Sequence, residues 1–231
     1  MKFSKIIVLI LALACVVSVL ASCDLGDITD KFDGGKSPET PKEYYEYAYN
    51  YMMTHAYKQT TVTTTKVNGE GTSSTSVSNM EGANYYIEDG GMKSLYYDGI
   101  IYVESAAGKK KMEINFLEMG ESIGITENYL TGLNDTLTND NITLTANEDG
   151  TKTLEFSWDF PVLGKCDYVF YLDTENHIVK YTMSYEVAVT EDYVLNTVYE
   201  TTIEYGDQYK VNPPADPDSY ETVDSYYDLV G

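Results

Sequence analysis

Ile178-Val179-Lys180-Tyr181-Thr182-Met183-Ser184-Tyr185-Glu186-Val187-Ala188-Val189-Thr190 is the stretch that decides the fold. Tyr181, Met183, Tyr185, Val187 and Val189 take every second place, with Lys180, Thr182, Ser184, Glu186, Ala188 and Thr190 between them. Successive side chains of a strand point to opposite faces, so the pattern predicts a long strand with one apolar and one wet face. Leu154, Phe156, Trp158 and Phe160 alternate in the same way with Thr153, Glu155, Ser157 and Asp159. A sheet wet on one side is characteristically antiparallel.

Turn signals on either side of this stretch extend the sheet. Asp173–Asn176 separates it from Tyr168–Leu172, and Glu191-Asp192 from a last strand at about 193–205. Asn147-Glu148-Asp149-Gly150, Ala107-Gly108-Lys109, Glu88-Asp89-Gly90-Gly91 and Val67-Asn68-Gly69 punctuate the earlier Thr, Tyr and Val runs. Tyr96-Tyr97-Asp98-Gly99-Ile100-Ile101-Tyr102 carries the two-residue Asp-Gly loop of a tight hairpin. The sum is an antiparallel meander of roughly ten strands in a mainly β, α+β chain. Segment 116–137 breaks the pattern and is expected to hold one or two short helices.

One helix is expected before the sheet. Thr40-Pro41-Lys42-Glu43 is a capping box with proline at the first helical position. Over 41–56, Tyr45, Ala48, Tyr49, Met52 and Ala56 share one face, and Glu43, Glu46, Asn50 and Thr54 the other. The tail from Asn212-Pro213-Pro214 is acidic and proline-broken, and reads as a surface strap with a loose end.

The N-terminus is of another kind. Met1-Lys2-Phe3-Ser4-Lys5 precedes an apolar run, Ile6 to Leu20, too short to span a bilayer and typical of a signal-peptide core. Leu20-Ala21-Ser22-Cys23 resembles the lipobox of bacterial lipoproteins, which implies cleavage of residues 1–22 and lipidation of Cys23. Several acyl chains anchor stably where one does not. Residues 23–40 then form the lipidated cysteine and a flexible tether, and 41–231 a single domain. Cys15 departs with the signal and Cys23 is consumed, so Cys166 has no internal partner and the core must hold the fold.

Lipobox, tether, helix, antiparallel sheet and insert, in that order, resemble the LolA/LolB and LppX/LprG-like lipoproteins. Tyr96–Val103 resembles that group's strand, Asp-Gly, strand element, and Tyr168–Asp173 with Ile178–Tyr181 its hairpin with an acidic turn. The resemblance implies a strongly bent, unclosed barrel whose concave face is capped by the first helix and the insert. It also implies that the space between accepts a lipid or the acyl part of a lipoprotein. The LolA carrier holds its lid with an arginine; this chain has none, so that release mechanism does not carry over. In a bacterium with two membranes Asp24, beside the lipidated cysteine, resembles an inner-membrane retention signal; a cell with one membrane has only that one to anchor in.

The expected ligand-binding residues are Phe156, Trp158, Phe170, Tyr181, Met183 and Tyr185 on the sheet, with Tyr45, Tyr49 and Met52 on the helix. The alternative is that they pack against one another as core. The expected function is a non-enzymatic, membrane-anchored lipoprotein on the extracytoplasmic face of a bacterial membrane, monomeric, with no cofactor or metal. A surface module binding protein or glycan is the alternative.

Other constellations are weaker. Gly120-Glu121-Ser122-Ile123-Gly124 has the nucleophile-elbow spacing, but that chemistry needs a parallel α/β sheet, so it reads as a lid or turn. Cys166 with His177 is read as a buried thiol and an unrelated histidine, and His55 as a cap at the helix end. Asn139-Asp140-Asn141 reads as a solvated turn, with loose calcium binding as the alternative, and 147–150 fails the EF-hand pattern at both ends. Lys109-Lys110-Lys111, the sole basic cluster, reads as a soluble hairpin tip, with contact to anionic headgroups as the alternative.

Charge sets the outer bounds. Fifteen lysines against 37 acids give −22, which excludes wrapping of nucleic acid. Loss of Lys2 and Lys5 with the signal leaves 13 against 37, or −24.

Overall fold

The computed structural model describes residues 37–114, 136–160, 164–190, 193–225 and 228–229. Cys23, Ser122 and nearly all of the tether and of the 116–137 insert lie outside them.

Helix α1 spans Pro41–Thr54. The expected capping box is formed: the Glu43 amide donates to Thr40 Oγ1 at 3.3 Å, and the Thr40 amide to Glu43 Oε2 at 3.1 Å. The helix stops two residues short of the expected end. His55 is already extended, at φ −119° and ψ 150°, and Ala56 opens the first strand.

Among the described residues twelve strands follow, where roughly ten were expected. They are β1 (Ala56–Val67), β2 (Glu70–Glu81), β3 (Asn84–Asp89), β4 (Met92–Tyr97), β5 (Ile100–Ser105) and β6 (Gly108–Glu113). After the insert come β7 (Thr143–Ala146), β8 (Lys152–Phe160), β9 (Gly164–Leu172), β10 (Ile178–Thr190), β11 (Tyr193–Tyr205) and β12 (Glu221–Thr222). The spatial order is β12-β6-β5-β4-β3-β2-β1-β11-β10-β9-β8-β7. Two meanders, β1–β6 and β7–β11, thus join where β1 pairs antiparallel with β11. The sheet is open, with β12 and the four-residue β7 at its edges.

β12 is a strand that the sequence reading did not contain. Its two residues pair parallel to β6 at Lys110 and Lys111, too short for any periodicity to announce them. Near the tail's end, which was expected to be loose, Leu229 is 1% exposed within the main core.

Local rules place the faces. In the β1–β2 loop Asn68 and Gly69 both have positive φ, and Asp98-Gly99 does the same between β4 and β5. These loops match the twist of the flanking strands and so set the register. A bulge at Ile178/Lys180 puts both Ile178 and Tyr181 on the inner face and leaves Val179 exposed. At the join of the meanders, the buried hydroxyls of Thr61 and Thr201 satisfy each other at 2.8 Å.

Candidate functional site

The inner face of the sheet is where the expected ligand residues gather, and register explains how. Phe156 of β8 stands opposite Tyr168 of β9, which stands opposite Met183 of β10, which faces Tyr199 of β11. One rung away run Leu154, Phe170, Tyr181 and Thr201. On the other side run Trp158, Cys166, Tyr185 and Thr197. Directly opposed residues share a face, so three adjacent rungs build one surface.

Helix α1 closes the lower part. The Tyr45 ring lies 5.5 Å from Phe156, edge-on, and 6.0 Å from Phe170, stacked. Tyr49 stacks on Tyr45 at 5.6 Å, and Met52 and Met53 are buried beside them. These are van der Waals contacts between rings, leaving no gap the width of an acyl chain at Tyr45. Tyr45, Tyr49, Met52, Phe156 and Phe170 therefore meet as packed core, with Trp158 and Tyr181 against it. Burial holds the Tyr45 hydroxyl in its neutral form, well above the ordinary tyrosine range.

The upper part differs. Cys166, Tyr185 and Tyr199 form a second buried cluster, flanked by half-buried Tyr168, Met183 and Val187. Trp158, Tyr168, Tyr181, Met183 and Val187 thus trace a half-buried aromatic and thioether arc. Met183, expected between helix and sheet, belongs to this arc, and Tyr185, expected there too, lies in the second buried cluster. Tyr168 and Tyr199 were not expected; the period-two step from Phe170 and the pairing of β11 with β10 are the signals that identify them.

The remaining candidates fall elsewhere. Burial pushes the Cys166 thiol up to about 11, followed by the charges of Asp167 and Asp159. It is protonated near neutral pH and lies in the upper cluster. His177 instead stacks on Tyr51 at 3.6 Å, with Nδ1 3.4 Å from Asp173 Oδ2. Cys166 and His177 therefore make no catalytic pair. His55 Nδ1 donates to the Tyr51 carbonyl at 2.9 Å, the capping role expected of it.

Asn139 and Asn141 spend their side-chain oxygens on the chain itself, accepting from the Lys42 amide at 3.0 Å and the Thr138 amide at 2.7 Å. No cluster of three or more His, Cys, Asp or Glu suited to a metal occurs among the described residues.

Lys109-Lys110-Lys111 has a role that neither sequence reading contained. Lys110 Nζ donates to the Asp228 carbonyl at 2.5 Å and Lys111 Nζ to the Pro217 carbonyl at 2.9 Å. Lys109 pairs with Glu104 at 3.0 Å and sits over the Tyr220 ring. The basic cluster fastens the C-terminal strap to the sheet edge.

No protein-family model matches the chain, and no curated protein matches it. Among solved structures it is similar to a DUF1329 family protein from Desulfovibrio piger ATCC 29098, at 11% identity and a TM-score of 0.30. That match covers 82% of this chain and 97% of the other. It is also similar to the ywiB protein from Bacillus subtilis, at 9% identity and a TM-score of 0.17, covering 64% and 91% respectively. Likenesses this distant leave the fold description resting on the strand pairing itself. Among the described residues no helix is long and apolar enough to cross a membrane.

Proposed function

We propose that this is a non-enzymatic lipoprotein, anchored through Cys23 on the extracytoplasmic face of a bacterial membrane, that holds an apolar ligand against its sheet. The ligand class is a lipid or the acyl part of a lipoprotein. The seat is the arc of Trp158, Tyr168, Tyr181, Met183 and Val187, not the filled space under Tyr45. The observation that carries this reading is the half-buried state of the arc, next to a fully packed core made from the same strands. Such a surface offers aromatic and thioether area that an apolar ligand can cover.

Native mass spectrometry of the lipid-free domain, before and after incubation with a fatty acid, tests the binding. The expected result is one added acyl mass that is lost in Met183→Glu. An unchanged mass at saturating fatty acid overturns it.

The second reading is a surface interaction module whose core is entirely packed, and the Tyr45 contacts to Phe156 and Phe170 favour it. On that reading Trp158→Ala lowers stability while partner binding at the outer face persists.

A further inference from the structure

β2 is twelve residues long, yet β3 pairs with only its last four, Ser78 to Glu81. Glu70 to Val77 pairs with β1 on one side and, among the described residues, with no strand on the other. All eight residues are exposed, Val77 at 44%. The two-residue Asn68-Gly69 loop makes Val67 and Glu70 the first hydrogen-bonded pair of the hairpin. Counting on in twos, Thr72, Ser74 and Ser76 direct their backbone groups at β1, and Gly71, Ser73 and Thr75 direct theirs outward.

Natural sheets blunt a free edge with proline, lysine, a bulge or a covering segment. Gly71 to Val77 contains no proline and no charge, and its register with β1 is unbroken. The edge strand β7 has only four residues, and β12 pairs with Lys110 and Lys111 of β6. Among the described residues the eight-residue free edge of β2 is longer than the one on β8, where Phe156 to Phe160 run past the end of β7.

We propose that the 70–77 edge of β2 accepts an extended, lysine-bearing segment of a partner protein as an added strand. Main-chain hydrogen bonds would supply the affinity, as in other strand-addition complexes. Charge selects the partner. The slot is bounded by Glu70 at one end and by Glu88 and Asp89 of β3 at the other, on a chain of net charge −22. A cationic segment is attracted, and a second copy of this chain is repelled. The small hydroxyl side chains on both faces, Thr72, Ser74 and Ser76 against Ser73 and Thr75, suit alternating small and long polar residues opposite them. The slot is about 26 Å long, room for about seven or eight residues.

Amide NMR shifts of the full domain, titrated with an alternating threonine–lysine heptapeptide, test this. Shifts confined to Gly71–Val77 are expected, with affinity falling about tenfold or more in Thr75→Pro. That proline removes an outward donor and leaves the β1 ladder intact. A peptide with alternate amides N-methylated, which cannot pair, should fail on the wild-type domain; this arm needs no change to the protein. Equal binding of the methylated peptide, equal binding to Thr75→Pro, or no shifts at 71–77 would overturn the proposal. None of these outcomes bears on the apolar arc, which lies across β8 to β10.

Discussion

Tyr51 sits between the only two histidines of the chain, His55 at 3.8 Å and His177 at 3.6 Å, each stacked on one face of its ring. It thereby ties the end of α1 to the β9–β10 turn, where Asp173 accepts from the amides of Glu175 and His177. Its neighbour Asn50 is less well served: its side-chain oxygen is buried without a hydrogen-bond partner among the described residues. A lost buried bond of this kind costs about 1–3 kcal/mol, and alanine is the better helix former. Asn50→Ala should therefore raise the urea unfolding midpoint, by about 1 kcal/mol in stability. Tyr45→Ala should do the reverse, costing about 3–5 kcal/mol in the same assay, because it empties a fully buried aromatic site.

The tyrosines also set an alkaline limit. Burial raises the hydroxyls of Tyr45, Tyr168 and Tyr205 well above the ordinary value. Ionisation near pH ~10 is then open to the unfolded chain before the folded one, so stability is full below that pH and falls above it. A urea midpoint that drops from pH ~9 to pH ~11, with a further rise in tyrosinate absorbance on unfolding, is the expected observation.

Among elements, the C-terminal strap has its own pH dependence. Tyr220 donates to Glu104 at 2.6 Å, and Lys109 pairs with the same carboxylate. The Tyr220 hydrogen bond first, then Lys109, hold Glu104 below the usual carboxylate value. The folded state thus binds this proton later than the unfolded chain as pH falls. The contribution is present above about pH 4.3 and lost as pH drops through the folded value. Limited proteolysis within 217–229 should accelerate on acidification in the wild type, and Glu104→Gln should be fast already near neutral pH.

The elements also show where sequence sufficed. Strand alternation at 154–160 and 180–188 and the Asp-Gly loop were readable because period-two patterning and turn chemistry are local. The Thr40–Glu43 box was readable for the same reason. The docking of the strap through β12 and the clamp by Lys109–Lys111 were not, because their partners lie more than a hundred residues away and a lysine looks the same whether solvated or bonded to a distant carbonyl. The candidate site was legible as a face but not as a depth. Alternation places Phe156 and Met183 on one side, and only register and the seating of Tyr45 separate packed core from half-buried arc.

At the scale of the molecule, two meanders meet at β1 and β11 beneath the tyrosine-rich helix α1. Charge works against compactness here, since −22 on one chain repels itself. Raising salt from about 0.01 M to 0.15 M shortens screening from about 30 Å to 8 Å, so the thermal midpoint should rise. The same charge keeps the domain off an anionic bilayer, leaving the proposed Cys23 anchor as the hold on the membrane. The central proposal is that the arc beside the core binds an apolar ligand, and the chain carries one reporter for it. Trp158 is the sole tryptophan and stands half-buried in that arc. Its fluorescence, followed while a fatty acid is titrated into the lipid-free domain, should shift to the blue and saturate. Met183→Glu should abolish the shift, and Thr182→Glu on the opposite face should keep it. Emission that stays unchanged throughout the wild-type titration would contradict the proposal.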